Sequence, residues 1–172
     1  MTKQHNPVGL SYIHQQTEKV NQKEKFYFDK EQDEFILYYP TFSQNKKDEL
    51  FVELVETINY YEQNNAPFIS NDFELIRYTE FLIFKHFSSL KDELDGKSYE
   101  IHKETADKIY TTGLHKIFKE LVFNDDEINK VIEQLYSISE LAEKMLVELD
   151  KQQEKLKSES QTENLKEQSS IQ

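Results

Sequence analysis

NDFELIRYTEFLIFKHFSSL, residues 71–90, decides the fold. Between Leu75 and Phe87 eight of thirteen side chains are large and apolar: Leu75, Ile76, Tyr78, Phe81, Leu82, Ile83, Phe84 and Phe87. At helical spacing they cover more of the circumference than the one-sided stripe of a surface helix, so a helix buried on most sides is expected. Asn71, three residues ahead of Glu74, supplies a capping-box-like start. Glu74, Arg77, Glu80 and Lys85 interrupt the run, which makes it too short and too charged to span a bilayer. Arg77 stands one turn from both Glu74 and Glu80, so intrahelical ion pairs are the simplest expectation for these three structural polar residues. A covered arginine must be paired, and Arg77→Ala is therefore expected to destabilise the fold.

Outward from this helix the pattern is helical on both sides. Leu50, Phe51, Leu54, Val55, Ile58 and Tyr61 recur at three- and four-residue steps from about Lys46 to Gln63. Asp48, Glu49, Glu53, Glu56 and Glu62 are expected on the acidic outer face of that helix. It ends at NNAPF, where Pro67 disfavours helical geometry at Ala66. On the other side Asp95-Gly96 reads as a turn. Ser98 then opens a helix to about Thr112 that carries Tyr99, Ile101, Ile109 and Tyr110 inward, with Gly113 where a left-handed cap is wanted. LHKIFKELVF gives a short further helix or turn.

Asn124, three residues before Glu127, opens the longest periodic run: Ile128, Val131, Leu135, Ile138, Ala142, Met145, Leu149, Gln152 and Leu156. A helix over residues 125–157 is about 50 Å long. A body of this size is roughly 35 Å across, so the last turns are expected to overhang it.

Ahead of the helices, KFYFDKEQDEFILYYP holds two aromatic-rich runs, Phe26–Phe28 and Phe35–Tyr39, joined by the acidic stretch Asp29–Glu34. This is a hairpin signal, with Pro40 closing the second strand. Alternation puts Phe35, Leu37 and Tyr39 on one face, and Ile36 and Tyr38 on the other. Residues 1–24 are polar apart from Val8, Leu10, Tyr12 and Ile13, and read as a flexible arm able to dock through that patch. Residues 158–172 have nothing to bury and read as a disordered tail.

The expected architecture is mainly α: a compact helical domain over residues 25–157 of about four to five helices, with an N-terminal β-hairpin and a long C-terminal amphipathic helix. Only three Gly and three Pro occur, which favours long helices over a sandwich or barrel. The 12 Phe and 10 Tyr make the core aromatic-heavy. There is no Cys, so disulfides, thiolate nucleophiles and Cys-based zinc sites are excluded. The first residues contain no apolar run suited to a signal peptide, and a cytoplasmic protein is expected.

Charge narrows the partners. The net charge is −12; residues 1–25 carry +2 and residues 151–172 carry 0, which leaves −14 on residues 26–150. Such a body repels nucleic acid, and Arg77 is the only arginine available to read a base. No direct nucleic-acid or membrane partner is expected. The histidines His5, His14, His86, His102 and His115 form no helical pair with metal-ligand spacing, and no nucleophile elbow, Walker loop or dinucleotide fingerprint occurs. His86, at the end of the buried helix, reads as a satisfied structural residue. No catalytic, cofactor-binding or metal-binding residues are assigned, and a non-enzymatic protein is expected.

Four stretches in order, FYFDKEQDEFILYYP, DELFVELVETI, FLIFKHFSSL and TTGLHKIFKELVFNDDEINKVIE, resemble small proteins encoded among the tail genes of long-tailed phages and prophages of low-GC Gram-positive bacteria. Some of these are assigned as tail assembly chaperones. The resemblance covers residues 26–150 and implies a mostly helical, acidic protein that holds a long helical tape-measure protein soluble while tail-tube subunits assemble. It brings no catalytic residue.

A protein of that kind needs apolar faces only marginally satisfied alone. The partner-binding candidates are Phe26, Phe28, Phe35 and Leu37 on the hairpin, and Met145, Leu146, Leu149 and Leu156 on the overhanging turns. Two other readings stand beside it: an acidic DNA mimic acting as a counter-defence inhibitor, and a dimeric structural adaptor joined through the C-terminal helix. Lysines interrupt the acids often, which disfavours mimicry.

Overall fold

In a computed structural model, residues 8–65 and 71–140 are described. Helix α1 is Leu10–Val20, strands β1 and β2 are Glu24–Asp29 and Glu34–Tyr38, and α2 is Gln44–Gln63. Then follow α3 (Asp72–His86), α4 (Leu90–Leu94), α5 (Tyr99–Thr111) and α6 (Leu114–Ile117). A π-helical turn over Phe118–Val122 leads to a further helix, α7, described over 125–140. The chain divides into two compact units, residues 1–132 and 133–172; only 133–140 of the second is described, and it is helical. The mainly helical architecture with an N-terminal hairpin is as the sequence implied.

Helix α3 is the post of the first unit. The Asn71 side chain accepts a hydrogen bond from the Glu74 backbone N–H at 3.0 Å, which satisfies a donor the helix leaves unpaired. Asp72 and Glu74 in the first turn, with Lys85 and His86 in the last, match the helix dipole. Every residue from Tyr78 to Ser88 is buried, and Phe81, Leu82, Ile83, Phe84 and Phe87 have no exposed surface. Burial on all sides holds for the second half of the helix only; Phe73, in its first turn, is 67% exposed.

The core is built from rings. Phe42 stacks on Phe87 with centroids 3.7 Å apart, and Phe84 stacks on Phe118 at 4.8 Å. Phe123 lies 5.9 Å from both Phe84 and Tyr38. Such pairs add about 0.5–1.5 kcal/mol each beyond the area they bury, which is how a chain of modest apolar content fills a core.

The hairpin is locked onto the end of α3. The Tyr39 N–H donates to the Phe87 carbonyl at 2.9 Å, and the Ser89 N–H donates to the Leu37 carbonyl at 2.8 Å. Its register pairs Phe26 with Ile36 and Tyr27 with Phe35, and an irregularity between Tyr27 and Asp29 leaves Phe28 unpaired. Ile36 is buried and Tyr38 meets Phe123 edge-on, so these two face the core, as alternation implied.

Three details differ from the sequence reading. Residues 10–20, taken as part of an arm, form a helix, although one with no buried residue. In α2 the buried positions are Leu50, Leu54, Thr57 and Tyr61, while Val55 is 55% exposed. In α5 they are His102, Ala106 and Ile109, while Ile101 is 42% exposed. Both faces are rotated by polar groups that find partners inside, which apolar periodicity alone does not register.

Gly113 has φ +79, the left-handed conformation expected after α5. The Glu127 carboxylate at the start of α7 accepts from the Phe42 N–H at 3.0 Å and anchors the link between β2 and α2.

Candidate functional site

The first feature that the core leaves unused is α1. Its N-terminal side carries Val8, Leu10, Tyr12 and Ile13, between 52% and 75% exposed, and Lys19 lies in its last turn. A groove between it and the start of α2 is lined by Tyr12, Ile13, Gln16, Val20, Asn45 and Glu49. An amphipathic helix that buries nothing leaves its apolar face available to another molecule.

The second is the outer face of the hairpin. Phe35 is 39% exposed and lies 5.7 Å from Tyr27, with Lys25 Nζ 3.9 Å over its ring. Leu37, opposite Lys25 in the register, is half-buried. Phe26 and Phe28 belong elsewhere: they meet edge-on at 5.3 Å, and Phe28 reaches Phe118 of the core at 6.0 Å. Phe35 and Leu37 thus lie on the outer face and Phe26 turns towards the helices with Ile36, while Phe28 touches Phe118 yet is as exposed as Phe35, at 39%. Met145, Leu146, Leu149 and Leu156 lie outside the described residues.

The third feature is polar, and sequence reasoning placed its centre wrongly. Glu53, expected on the acidic outer face of α2, points inward and gathers side chains from α3 and α5. Lys85 Nζ lies 2.6 and 2.7 Å from its two oxygens, and His86 Nε2 lies 2.7 Å from Oε2. His102 Nδ1 approaches Oε1 at 3.1 Å, while its Nε2 donates to the Leu94 carbonyl at 3.0 Å. Burial alone would raise the Glu53 carboxyl, but His102, His86 and Lys85 outweigh it and hold the group well below the ordinary carboxylate range. The available signal was the pair Lys85-His86 in the last turn of a buried helix, which demands an anionic acceptor. Donors that converge on one acceptor tie α2, α3 and α5 together. No group of three or more His, Cys, Asp or Glu among the described residues is arranged to hold a metal ion.

Arg77 and Glu80 are not paired with each other. Glu80 accepts from Tyr110 Oη and forms an ion pair with Lys119 Nζ at 2.6 Å. The Arg77 guanidinium lies over the Tyr110 ring, 4.2 Å from its centroid. The Glu74 backbone N–H is taken by the Asn71 cap, and its side chain lines a groove with Arg77, Lys103 and Asp107. Helix-neighbour spacing permitted a pair between Arg77 and Glu80, but Lys119 from the π-helical turn competes for the same carboxylate and wins.

A sequence model of the YomO family matches residues 10–169. The chain belongs to the YomO family. That name is of the phage-associated, Bacillus prophage type. The match begins at the first residue of α1, so this exposed helix belongs to the family domain along with the hairpin and the post. No curated protein matches the chain, and no solved structure does. Among the described residues of this YomO-family chain, no helix is long and apolar enough to cross a membrane.

Proposed function

We propose that this phage-associated chain is a non-enzymatic interaction protein of tail morphogenesis. It would act in the host cytoplasm as an assembly chaperone that covers a helical tape-measure protein, tail-tube subunits, or both. The observation that carries the reading is the apolar face of α1, with Leu10 at 75% and Ile13 at 52% exposure on a helix that buries nothing. A helix-in-groove contact uses anchors at such spacing, and a long tape measure offers many equivalent apolar stripes. The phage-type family name and the resemblance of residues 26–150 to tail-gene proteins point the same way.

The test is co-expression of the full chain with the tape-measure protein of the same phage. The chain should keep the tape measure in the supernatant and co-elute with it, and Leu10→Glu with Ile13→Glu should abolish both effects. A tape measure that precipitates equally with and without the chain would refute the assignment.

A further inference from the structure

Arg77 is the single arginine of a chain with 33 acidic residues, yet among the described residues no carboxylate forms an ion pair with it. Glu80, one turn along the same helix, is occupied by Lys119 and Tyr110. The guanidinium lies instead over Tyr110, 4.2 Å from its ring centroid, and the exposed ring of Phe73 lies 5.7 Å away. Its Nε is buried and has no hydrogen-bond partner. Beside it, His115 stacks on Tyr110 at 4.5 Å, and its buried Nδ1 also lacks a partner. These groups share a groove with Phe73, Ile76 and Lys119.

We propose that this groove between α3 and the α5–α6 corner receives a carboxylate carried by an acidic, partly apolar segment of a protein partner. A planar guanidinium matches a carboxylate with two parallel N–H bonds, and the contact with the Tyr110 ring restricts the side chain beforehand, so less freedom is lost on binding. Lys119, 39% exposed at its side chain, supplies a second cation at the rim. Phe73 and Ile76 give an apolar floor for the methylenes beside the acid. Glu80 at the base, and Glu74 and Asp107 in the adjoining groove, repel a doubly charged phosphate more than a single carboxylate. This inference rests on the reading of the chain as a protein-binding protein and names the chemistry that one of its surfaces recognises.

A single arginine gives a single Nε–Hε signal, so the site reports on itself in a 15N NMR titration of the full chain. The probes are an acetylated, amidated peptide of alternating Glu and Leu, its Gln and Leu counterpart, and sodium phosphate at matched ionic strength. The Glu peptide should shift the Arg77 Nε–Hε, Tyr110 and His115 signals saturably. Arg77→Gln should weaken its binding by at least about tenfold, the scale of a lost charge-assisted hydrogen bond, and Arg77→Lys should restore binding only in part. Equal shifts with the Gln peptide, phosphate binding tighter than the Glu peptide, or no saturable shift at Arg77 would each overturn the proposal. The wild-type titration decides this even if a variant fails to fold. A chain that captures the tape measure but ignores the Glu peptide loses this site and keeps the function, whereas one that binds the peptide at Arg77 but not the tape measure does the reverse.

Discussion

Lys85 of α3 places its Nζ 2.6 and 2.7 Å from the two oxygens of Glu53 of α2, 32 residues away in the chain. Both side chains are largely withdrawn from water, at 5% and 14% exposure. Removing the acid alone strands a buried ammonium and leaves His86 without its acceptor. Glu53→Ala should therefore cost about 3–5 kcal/mol of stability, the range for breaking a buried pair from one side. The double variant Glu53→Leu, Lys85→Met should be more stable than Glu53→Ala, because it removes both charges at similar volume. Urea denaturation of the three proteins checks the order, and a double variant weaker than the single one would contradict it.

The same carboxylate sets the acid limb. A carboxyl whose folded value is depressed stabilises the fold above its unfolded value of 4.5, and that contribution is lost as pH falls through the folded value. Glu49, held down chiefly by Lys91, and Glu127, whose burial is outweighed by Lys130 and the Phe42 N–H, act in the same direction. Stability should fall steadily below about pH 4.5, and Glu53→Gln should flatten that slope while lowering the plateau. Melting temperatures measured from pH 7 to pH 2.5 give both quantities.

The alkaline limb belongs to tyrosines. Burial pushes the Tyr78 hydroxyl up, and at Tyr110 burial, together with the hydrogen bond to Glu80 and the Glu80 charge, does the same. A raised folded value means that stability is complete below the unfolded value of 10.0 and is lost as pH rises beyond it. The absorbance titration of the ten tyrosines should therefore be biphasic, with a late step that coincides with loss of the helical CD signal. Tyr110→Phe should remove part of that step.

How far the sequence carried the fold follows from which forces leave a one-dimensional trace. Apolar period and capping do: the Asn71 cap, the dense aromatic run from Tyr78 to Phe87 and the hairpin strands all lie where the residues placed them. Polar burial does not, because an inward Glu53 has the same local neighbours as an outward one. Its orientation depends on Lys85, His86 and His102, which meet it only after α3 and α5 have packed. Competition is likewise invisible locally: Arg77 and Glu80 are spaced to pair, yet Lys119, 39 residues further on, takes the acid. In α1 the patch was legible, but helix formation by an exposed segment was not, since no buried face confirms it.

Helix start chemistry can be tested without touching the core. Asn71→Ala removes the acceptor for the Glu74 N–H and should cost about 1 kcal/mol. Asn71→Asp or Asn71→Ser should retain most of it. Because α3 is the post, the loss should appear as a shift of the whole unfolding transition, measured by CD at matched protein concentration. A variant that loses only early helical signal would mean that the first turn of α3 frays separately from its buried half.

Exposure separates binding from stability at α1. Leu10 and Ile13 are 75% and 52% exposed, so replacing both with Glu should leave global stability within about 0.5 kcal/mol of the parent, as for surface substitutions elsewhere. Phe84→Ala, by contrast, empties a fully buried ring position stacked on Phe118 and should cost about 3–5 kcal/mol. A binding defect in the Leu10/Ile13 variant can then be assigned to a lost contact rather than to unfolding. If that variant melts several degrees lower, α1 packs in solution against its own chain, and its apolar face is not free to receive a partner. Paired measurements of melting temperature and tape-measure capture on the same preparations distinguish these outcomes.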